Sequence, residues 1–161
     1  MRPLYAPSAP WKDAYPVHVA TISEREGQLL RKSLLRLFSP YGPSKQALYE
    51  LRTSVNIEKR EIGLRQDQTA QRNRITAKAS YALVERATHK NLLEGTRTSI
   101  NSYAIGDNSA TSMLPLIVAE KDAKARLMEE LAFAIHTDVI LYLQEHPIAQ
   151  DNGDMVSTPQ P

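Results

Sequence analysis

The side chains best suited to chemistry in this chain are basic and amide groups gathered in its middle third. Residues 45–100 hold eleven Lys and Arg against six Asp and Glu, although the whole 161-residue chain carries a net charge of only +2. Within that third, the stretch GLRQDQTAQRNRIT at residues 63–76 combines three arginines and four amides with a single acid. Guanidinium and amide groups donate hydrogen bonds to phosphates and to polar protein surfaces. Their density indicates a binding role for this segment.

Catalytic groups are not arranged for a reaction. The four histidines are scattered, and no two have the i, i+4 spacing of metal ligands on a helix. Glu129 and Glu130 would point about 100° apart on a helix, so they do not form an acid–base pair. The six glycines make neither a phosphate-binding loop nor a Gly-x-Ser-x-Gly motif, and the absence of cysteine excludes thiol-based zinc and redox sites. We therefore expect a protein that is not an enzyme, with no catalytic residues, no metal and no cofactor.

Alternating and helical periodicities predict the elements that must position the basic groups. A short strand at 17–22 precedes a helix that begins at a capping box of Ser23 and Glu26 and ends at SPYGP. Residues 48–58 and 74–85 alternate apolar with polar side chains, and 91–105 is a third, less regular strand in which Gly95 indicates a bulge. RATHK at 86–90 joins the last two strands as an antiparallel hairpin. A long helix then runs from about 112 to 144, with Pro115 in its first turn.

The order β-α-β-β-β-α predicts an α+β fold, a two-layer sandwich in which two helices pack on one face of a four-stranded sheet. This single domain is expected to span residues 17–146. Residues 1–16 contain four of the ten prolines and should form an extended tether, whereas residues 147–161 are polar and should form a disordered tail. No run of 18 apolar residues is present, so no membrane-spanning helix is predicted.

The uncovered face of the predicted sheet is polar and is the candidate site. Because side chains alternate between the two faces of a strand, four basic residues are expected on this face as candidate anion ligands: Arg52, Arg74, Lys78 and Arg97. The anion could be a nucleic acid or a phosphorylated lipid head group. Because Tyr49 and Tyr81 fall on the buried face, no exposed ring is available to stack on bases, so nucleic acid is the weaker choice. A solvated sheet face, whose charges discourage strand pairing, accounts for the same residues without a ligand.

Five segments carry a family resemblance. They are RPLYAP at the start, EREGQLLRKSLLRLFSP in the first helix, IGLRQDQTAQRNRIT in the hairpin, and then ASYALVERATHKNLLEGTRTSINSYAI and VAEKDAKARLMEELAFAIHTDVILYL. In their order and spacing, over roughly residues 2–143, the chain resembles the lipopolysaccharide-assembly lipoprotein LptE family, in particular its alphaproteobacterial branch. No single motif is diagnostic, because none is catalytic.

The resemblance implies a lipoprotein anchored at the periplasmic face of the outer membrane by a lipidated N-terminal cysteine. Proteins of this family plug the LptD β-barrel, help it to assemble and bind lipopolysaccharide on its way to the cell surface. The barrel and lipopolysaccharide become the expected partners, and nucleic acid does not. On this hypothesis the hairpin residues Arg65, Asp67 and Arg72 contact the barrel. The basic residues of the uncovered face, Arg52, Arg74, Lys78 and Arg97, then contact lipid phosphates.

The chain departs from the family at its start. The lipidated cysteine and the signal peptide are missing, and Met1 stands directly before RPLYAP. We therefore expect a truncated form that is soluble as given. Two alternatives stay open: a free-standing periplasmic module that binds an anionic lipid, and a cytosolic nucleic-acid-binding protein, which a steep salt dependence of oligonucleotide binding would favour.

Overall fold

The computed structural model describes residues 16–39, 47–63, 71–105 and 113–147. Six elements follow one another: β1 (Val17–Val19), α1 (Arg25–Phe38), β2 (Tyr49–Ile62), β3 (Gln71–Glu85), β4 (Asn91–Ile105) and α2 (Met113–Glu145). The predicted order β-α-β-β-β-α and the α+β class are confirmed. The predicted tether at 1–16 and tail at 147–161 lie outside the described residues except for their inner ends.

The four strands form one mixed sheet in the order β1-β2-β3-β4. β1 runs parallel to β2, with Val17 beside Tyr49, while β2–β3 and β3–β4 are long antiparallel pairs. The predicted hairpin at 86–90 is confirmed, and within it His89 has a positive φ of 55°. Because side chains alternate between the faces of a strand, these long registers decide which residues share a face.

Both helices cover the same face of the sheet, and the core lies between the two layers. The largest fully buried side chains come from every element except β4: Val17 and Val19 of β1, Leu30 and Leu34 of α1, Leu51 of β2, Ile75 and Leu83 of β3, and Leu127, Met128, Leu131, Ile135 and Val139 of α2. Each buried Leu or Ile contributes about 1.5–3 kcal/mol relative to an exposed one. No helix within the described ranges is long and apolar enough to cross a membrane.

The start of α1 differs from the prediction. The helix begins at Arg25 with Glu24 as its N-cap, and no side chain caps it, so the predicted capping box was wrong. The side chain of Gln28 instead donates to the carbonyl oxygen of Ile22, and Glu26 pairs with Lys124 of α2 at 3.3 Å. The Glu26 carboxylate, which the capping box would have used, therefore takes part in a tertiary ion pair instead.

Gly95 has a packing role rather than the predicted bulge. The register of β3 and β4 shifts between Leu83 and Val84, nearer the hairpin turn. Gly95 lies directly opposite Tyr81, and a Cβ built on it would lie 2.6 Å from Cζ of the Tyr81 ring. The glycine is needed because the phenol occupies the space of its missing side chain.

Candidate functional site

The face of the sheet opposite the helices is open and polar. On β2 and β3 the even-numbered residues point to it, because their odd-numbered neighbours Leu51, Ile75 and Leu83 are buried under the helices. The predicted candidates Arg52, Arg74 and Lys78 all lie on this open face, as strand parity indicated, and all are exposed.

The predicted position of Arg97 was wrong. In the register of β3 and β4, Arg97 lies opposite Ala79, which is fully buried under the helices. Side chains of directly opposed residues share a face, so Arg97 points to the helix layer. The prediction failed because β4 has polar residues on both faces. Its sequence therefore does not show which alternate residues face the helices.

Arg97 is part of an interlayer hydrogen-bond network. Its Nε donates to Asp138 of α2 at 2.7 Å, and its terminal nitrogen forms a second contact with the same carboxylate. The hydroxyl of Tyr81 donates to Asp138 at 2.6 Å. The guanidinium lowers the pKa of Asp138, whereas burial and the neighbouring carboxylate raise the pKa of Tyr81 to about 12. Arg97 therefore joins β4 to α2 and is not available to a ligand on the open face.

The half of the open face near β1 is electrically balanced. Arg52 donates from Nε to Glu50 at 2.6 Å, and this contact lowers the pKa of the Glu50 carboxyl. Beside them lies a shallow depression of about 570 Å³ whose walls include the hydroxyls of Ser54, Ser80 and Thr96. In the ranges that the structure describes, no three His, Asp or Glu side chains come together as a metal site.

The far half of the open face carries a surplus of positive charge. Arg60 lies directly opposite Arg74, and Arg72 and Lys78 follow on the same side of β3. Of these four residues, only Arg60 has an acidic partner within the described part of the chain, Glu58 at 3.4 Å. Like charges on directly opposed strand positions destabilise a sheet unless an anion lies between them. We call Arg60, Arg72, Arg74 and Lys78 the distal basic cluster.

Arg60 is a member of this cluster that the sequence prediction missed. β2 continues to Ile62, four residues beyond the predicted end at Glu58. In this extension Lys59 points to the helix side and donates to Glu120 of α2 at 2.9 Å, so charged residues occupy both faces. The alternation of apolar and polar residues that indicates a strand is lost there. The extension of β2 is visible only in its continued antiparallel pairing with β3.

The predicted barrel-contacting residues are only partly described. Arg65 and Asp67 lie outside the described residues. Arg72 lies near the start of β3, opposite Ile62, and is exposed. Its position beside Arg74 makes it part of the distal basic cluster.

Apolar side chains border the distal basic cluster. Ile100 of β4 lies opposite Thr76 on the open face and is 59% exposed, and Ile62 is also exposed. Isoleucine is usually buried, so an exposed pair beside unpaired cations forms a surface with both apolar and cationic character. Such a surface is complementary to an anionic amphiphile.

Comparisons with known proteins identify the fold. No protein-family profile and no curated protein sequence matches the chain. A crystal structure from Caulobacter crescentus, of a protein proposed to be a lipoprotein, aligns with a TM-score of 0.62 at 21% identity, over 83% of this chain and 93% of the other. A minor lipoprotein from Acinetobacter baumannii aligns with a TM-score of 0.53 at 15% identity, over 79% of this chain and 92% of the other. The chain therefore shares its fold with these two proteins.

Proposed function

We propose that this protein is a non-enzymatic lipoprotein of the LptE type, which plugs and helps to assemble an LptD-type β-barrel of the outer membrane and binds lipopolysaccharide in transit. The sequence resemblance over roughly residues 2–143 and the fold shared with two proteins named as lipoproteins support this proposal. In its native form the protein would lie at the periplasmic face of the outer membrane, held by a lipid anchor.

The observation that carries the lipid-binding part is the distal basic cluster. Two arginines on directly opposed positions of neighbouring strands can bind the oxygens of one phosphate from two sides. Each guanidinium can donate two hydrogen bonds. Arg72 and Lys78 extend the positive charge along β3 on either side of Arg74, so a head group with more than one phosphate could contact several of these side chains. A ligand with several phosphates would relieve the repulsion that Arg60 and Arg74 otherwise exert on each other.

The apolar border favours a lipid over a nucleic acid. Ile100 and Ile62 offer acyl chains a contact beside the cations, whereas a base would need an aromatic ring. The tyrosines of the three long strands, Tyr49, Tyr81 and Tyr103, are all buried under the helices. Within the described strands, no Phe, Trp or Tyr lies on the open face.

The plug part of the proposal rests on the polar hairpin between β2 and β3. The lumen of an outer-membrane barrel is polar, so a segment that enters it needs hydrogen-bonding side chains. Arg72 lies at the base of this hairpin, and Arg65 and Asp67 belong to the same stretch of sequence. We propose that this end of the molecule faces the barrel.

The plug role is tested by purification from a Gram-negative cell. The chain is preceded by a lipoprotein signal and cysteine, the outer membrane is extracted in mild detergent, and co-purifying proteins are identified by mass spectrometry. The proposal predicts a large β-barrel at one-to-one stoichiometry. Recovery of the chain without a barrel, but with phosphorylated lipid, would support a free-standing lipid-binding module instead.

A further inference from the structure

The outer edge of β4 is long and unprotected. In the part of the chain that the structure describes, β4 has a neighbouring strand on one side only. Natural sheets protect such edges with Lys, Pro, or closely spaced charges. Between Thr96 and Ile105 the strand has no Lys and no Pro, and its single charge, Arg97, is neutralised by Asp138 under α2.

The groups available for pairing can be assigned to individual residues. The amide N–H of Ser102 donates to the side chain of its neighbour Asn101 at 2.8 Å rather than to β3. The N–H and C=O of one residue point to the same side of a strand, and the side alternates along it. Even-numbered residues of β4, including Thr96, Thr98 and Ile100, therefore turn their backbone groups outward.

The opposite edge of the sheet is protected. β1 covers β2 only from Tyr49 to Leu51. The uncovered part of β2 ends in four consecutive charged residues, at positions 58–61. Charges on an edge oppose pairing with another strand, so of the two edges that the described strands form, the β4 edge is the one free to extend the sheet.

α2 presents exposed side chains near the β4 edge, of which Phe133 and Leu141 are apolar. Phe133, Thr137 and Leu141 lie four residues apart along α2, and Phe133 is 64% exposed. Their neighbours on the helix, Glu130 and Asp138, bond to Ser99 and Arg97 of β4. The segment of α2 that carries Phe133 and Thr137 is thus the one beside Thr98.

From these observations we propose that β4 pairs antiparallel with β4 of a second copy, across a two-fold axis at Thr98. Thr98 is the midpoint of the strand Asn91–Ile105, so this register pairs each strand with its partner along its whole length. It opposes no like charges, because Arg97 lies opposite Ser99 of the other copy.

The helices fit the same two-fold axis. α2 contacts both β3 and β4. α2 packs more extensively on β4 than on β3. Strands are about 4.8 Å apart, so the two α2 axes would lie no more than about 10 Å apart, within the spacing of packed helices. Phe133 of each copy would lie near the axis, where the partner helix would cover part of its exposed surface. Because the β2 edge is protected, the sheet stops at eight strands and the assembly closes as a dimer instead of growing into a fibre.

The test is the oligomeric state of the purified chain by sedimentation equilibrium from about 1 μM to about 500 μM, the range in which edge-paired dimers of modest area dissociate. The inference predicts dimers that dissociate on dilution. Thr98→Pro removes an outward N–H without removing a bond to β3, and should weaken association at least tenfold. Thr53→Pro is the matched control, because Leu51 accepts a hydrogen bond from the β1 side and Thr53 therefore also points away from β3. It should leave association unchanged.

Cross-linking keeps the inference testable if a proline variant does not fold. The chain contains no cysteine, so a single Thr98→Cys would place two thiols across the axis within disulfide distance, whereas Ser102→Cys would hold them far apart. With a mild added oxidant, covalent dimers should form at position 98 and not at 102. A monomer at every concentration, or equal cross-linking at both positions, overturns the inference. Neither result bears on lipid or barrel binding, which is measured separately.

Discussion

Gly95 is the residue whose substitution most directly reports on the packing between the sheet and α2. An added methyl group at this position would overlap the Tyr81 ring, whose hydroxyl bonds to Asp138. We expect Gly95→Ala to displace the phenol and lower the free energy of unfolding by about 1–3 kcal/mol, as overpacking does in other cores. Urea denaturation measures this change. The neighbouring Thr96→Ala, on the open face, is the control, and equal stability of the two variants would contradict the predicted clash.

His136 gives the protein a pH-dependent stability. Burial lowers the pKa of its imidazole from the ordinary value of 6.5, and the ring contacts Phe38 edge-on with centroids 4.8 Å apart. Because the unfolded chain binds a proton near pH 6.5 and the folded chain does so only at lower pH, acidification favours unfolding. The contribution is fully present above the unfolded pKa and is lost as pH falls through 6.5 toward the folded pKa.

The corresponding measurement compares the free energy of unfolding at about pH 7.5 and about pH 5.5, a window above the titration of ordinary carboxyls. The wild-type protein should lose stability across this window, and His136→Gln should lose less. The same slope in both proteins would show that other groups cause the pH dependence.

At the scale of elements, Glu120 joins three parts of the fold. Its carboxylate accepts hydrogen bonds from Lys59 of β2 at 2.9 Å and from Tyr103 of β4 at 3.1 Å, and it lies 3.2 Å from Lys124 of α2. Lys59 is the main cause of its lowered pKa. The Tyr103 hydroxyl also accepts a bond from the buried Asn73.

We expect Glu120→Ala to destabilise the fold by about 1–2 kcal/mol, since it removes bonds to two cations and a phenol that are partly screened by solvent. Glu129→Ala is the matched control, because it removes the exposed pair with Arg36 and should change stability by less than about 0.5 kcal/mol. Thermal unfolding of the two variants makes the comparison. Equal losses would mean that the Glu120 network adds nothing beyond a surface ion pair.

The elements also show what the sequence could and could not predict. The strands β2 and β3 were predictable where small or apolar residues alternate with polar ones, as in Ile75, Ala77 and Ala79, and the stripe of α2 was equally clear. The side of the sheet to which Arg97 points was not predictable. It depends on how β4 pairs with β3, and the local sequence does not indicate that register. Arg60 was missed for a related reason. Lys59 beside it forms an ion pair with α2, so a charged residue stands where an apolar residue would have indicated the buried face of a strand.

At the scale of the whole molecule, the two faces of the sheet differ in what their charged residues contact. The helix-covered face supplies the core and the interlayer networks, and it uses Arg97 and Lys59 structurally. The open face keeps Arg72, Arg74 and Lys78 without acidic partners among the described residues. This division explains why charge reversal on the open face should affect binding without unfolding the domain, as for Arg74→Glu together with Lys78→Glu.

The most direct test of this account is the affinity of the protein for lipid A that carries its phosphates, compared with dephosphorylated lipid A. The wild-type protein should prefer the phosphorylated form, and Arg60→Glu with Arg74→Glu should abolish that preference, weakening binding at least tenfold because several charge-assisted hydrogen bonds are lost. Lys32→Glu with Arg36→Glu makes the same charge change on the exposed surface of α1 and should leave binding unchanged. If the two double variants bind alike, or if the wild type does not distinguish the two lipids, the open face is not the lipid site and the central claim fails.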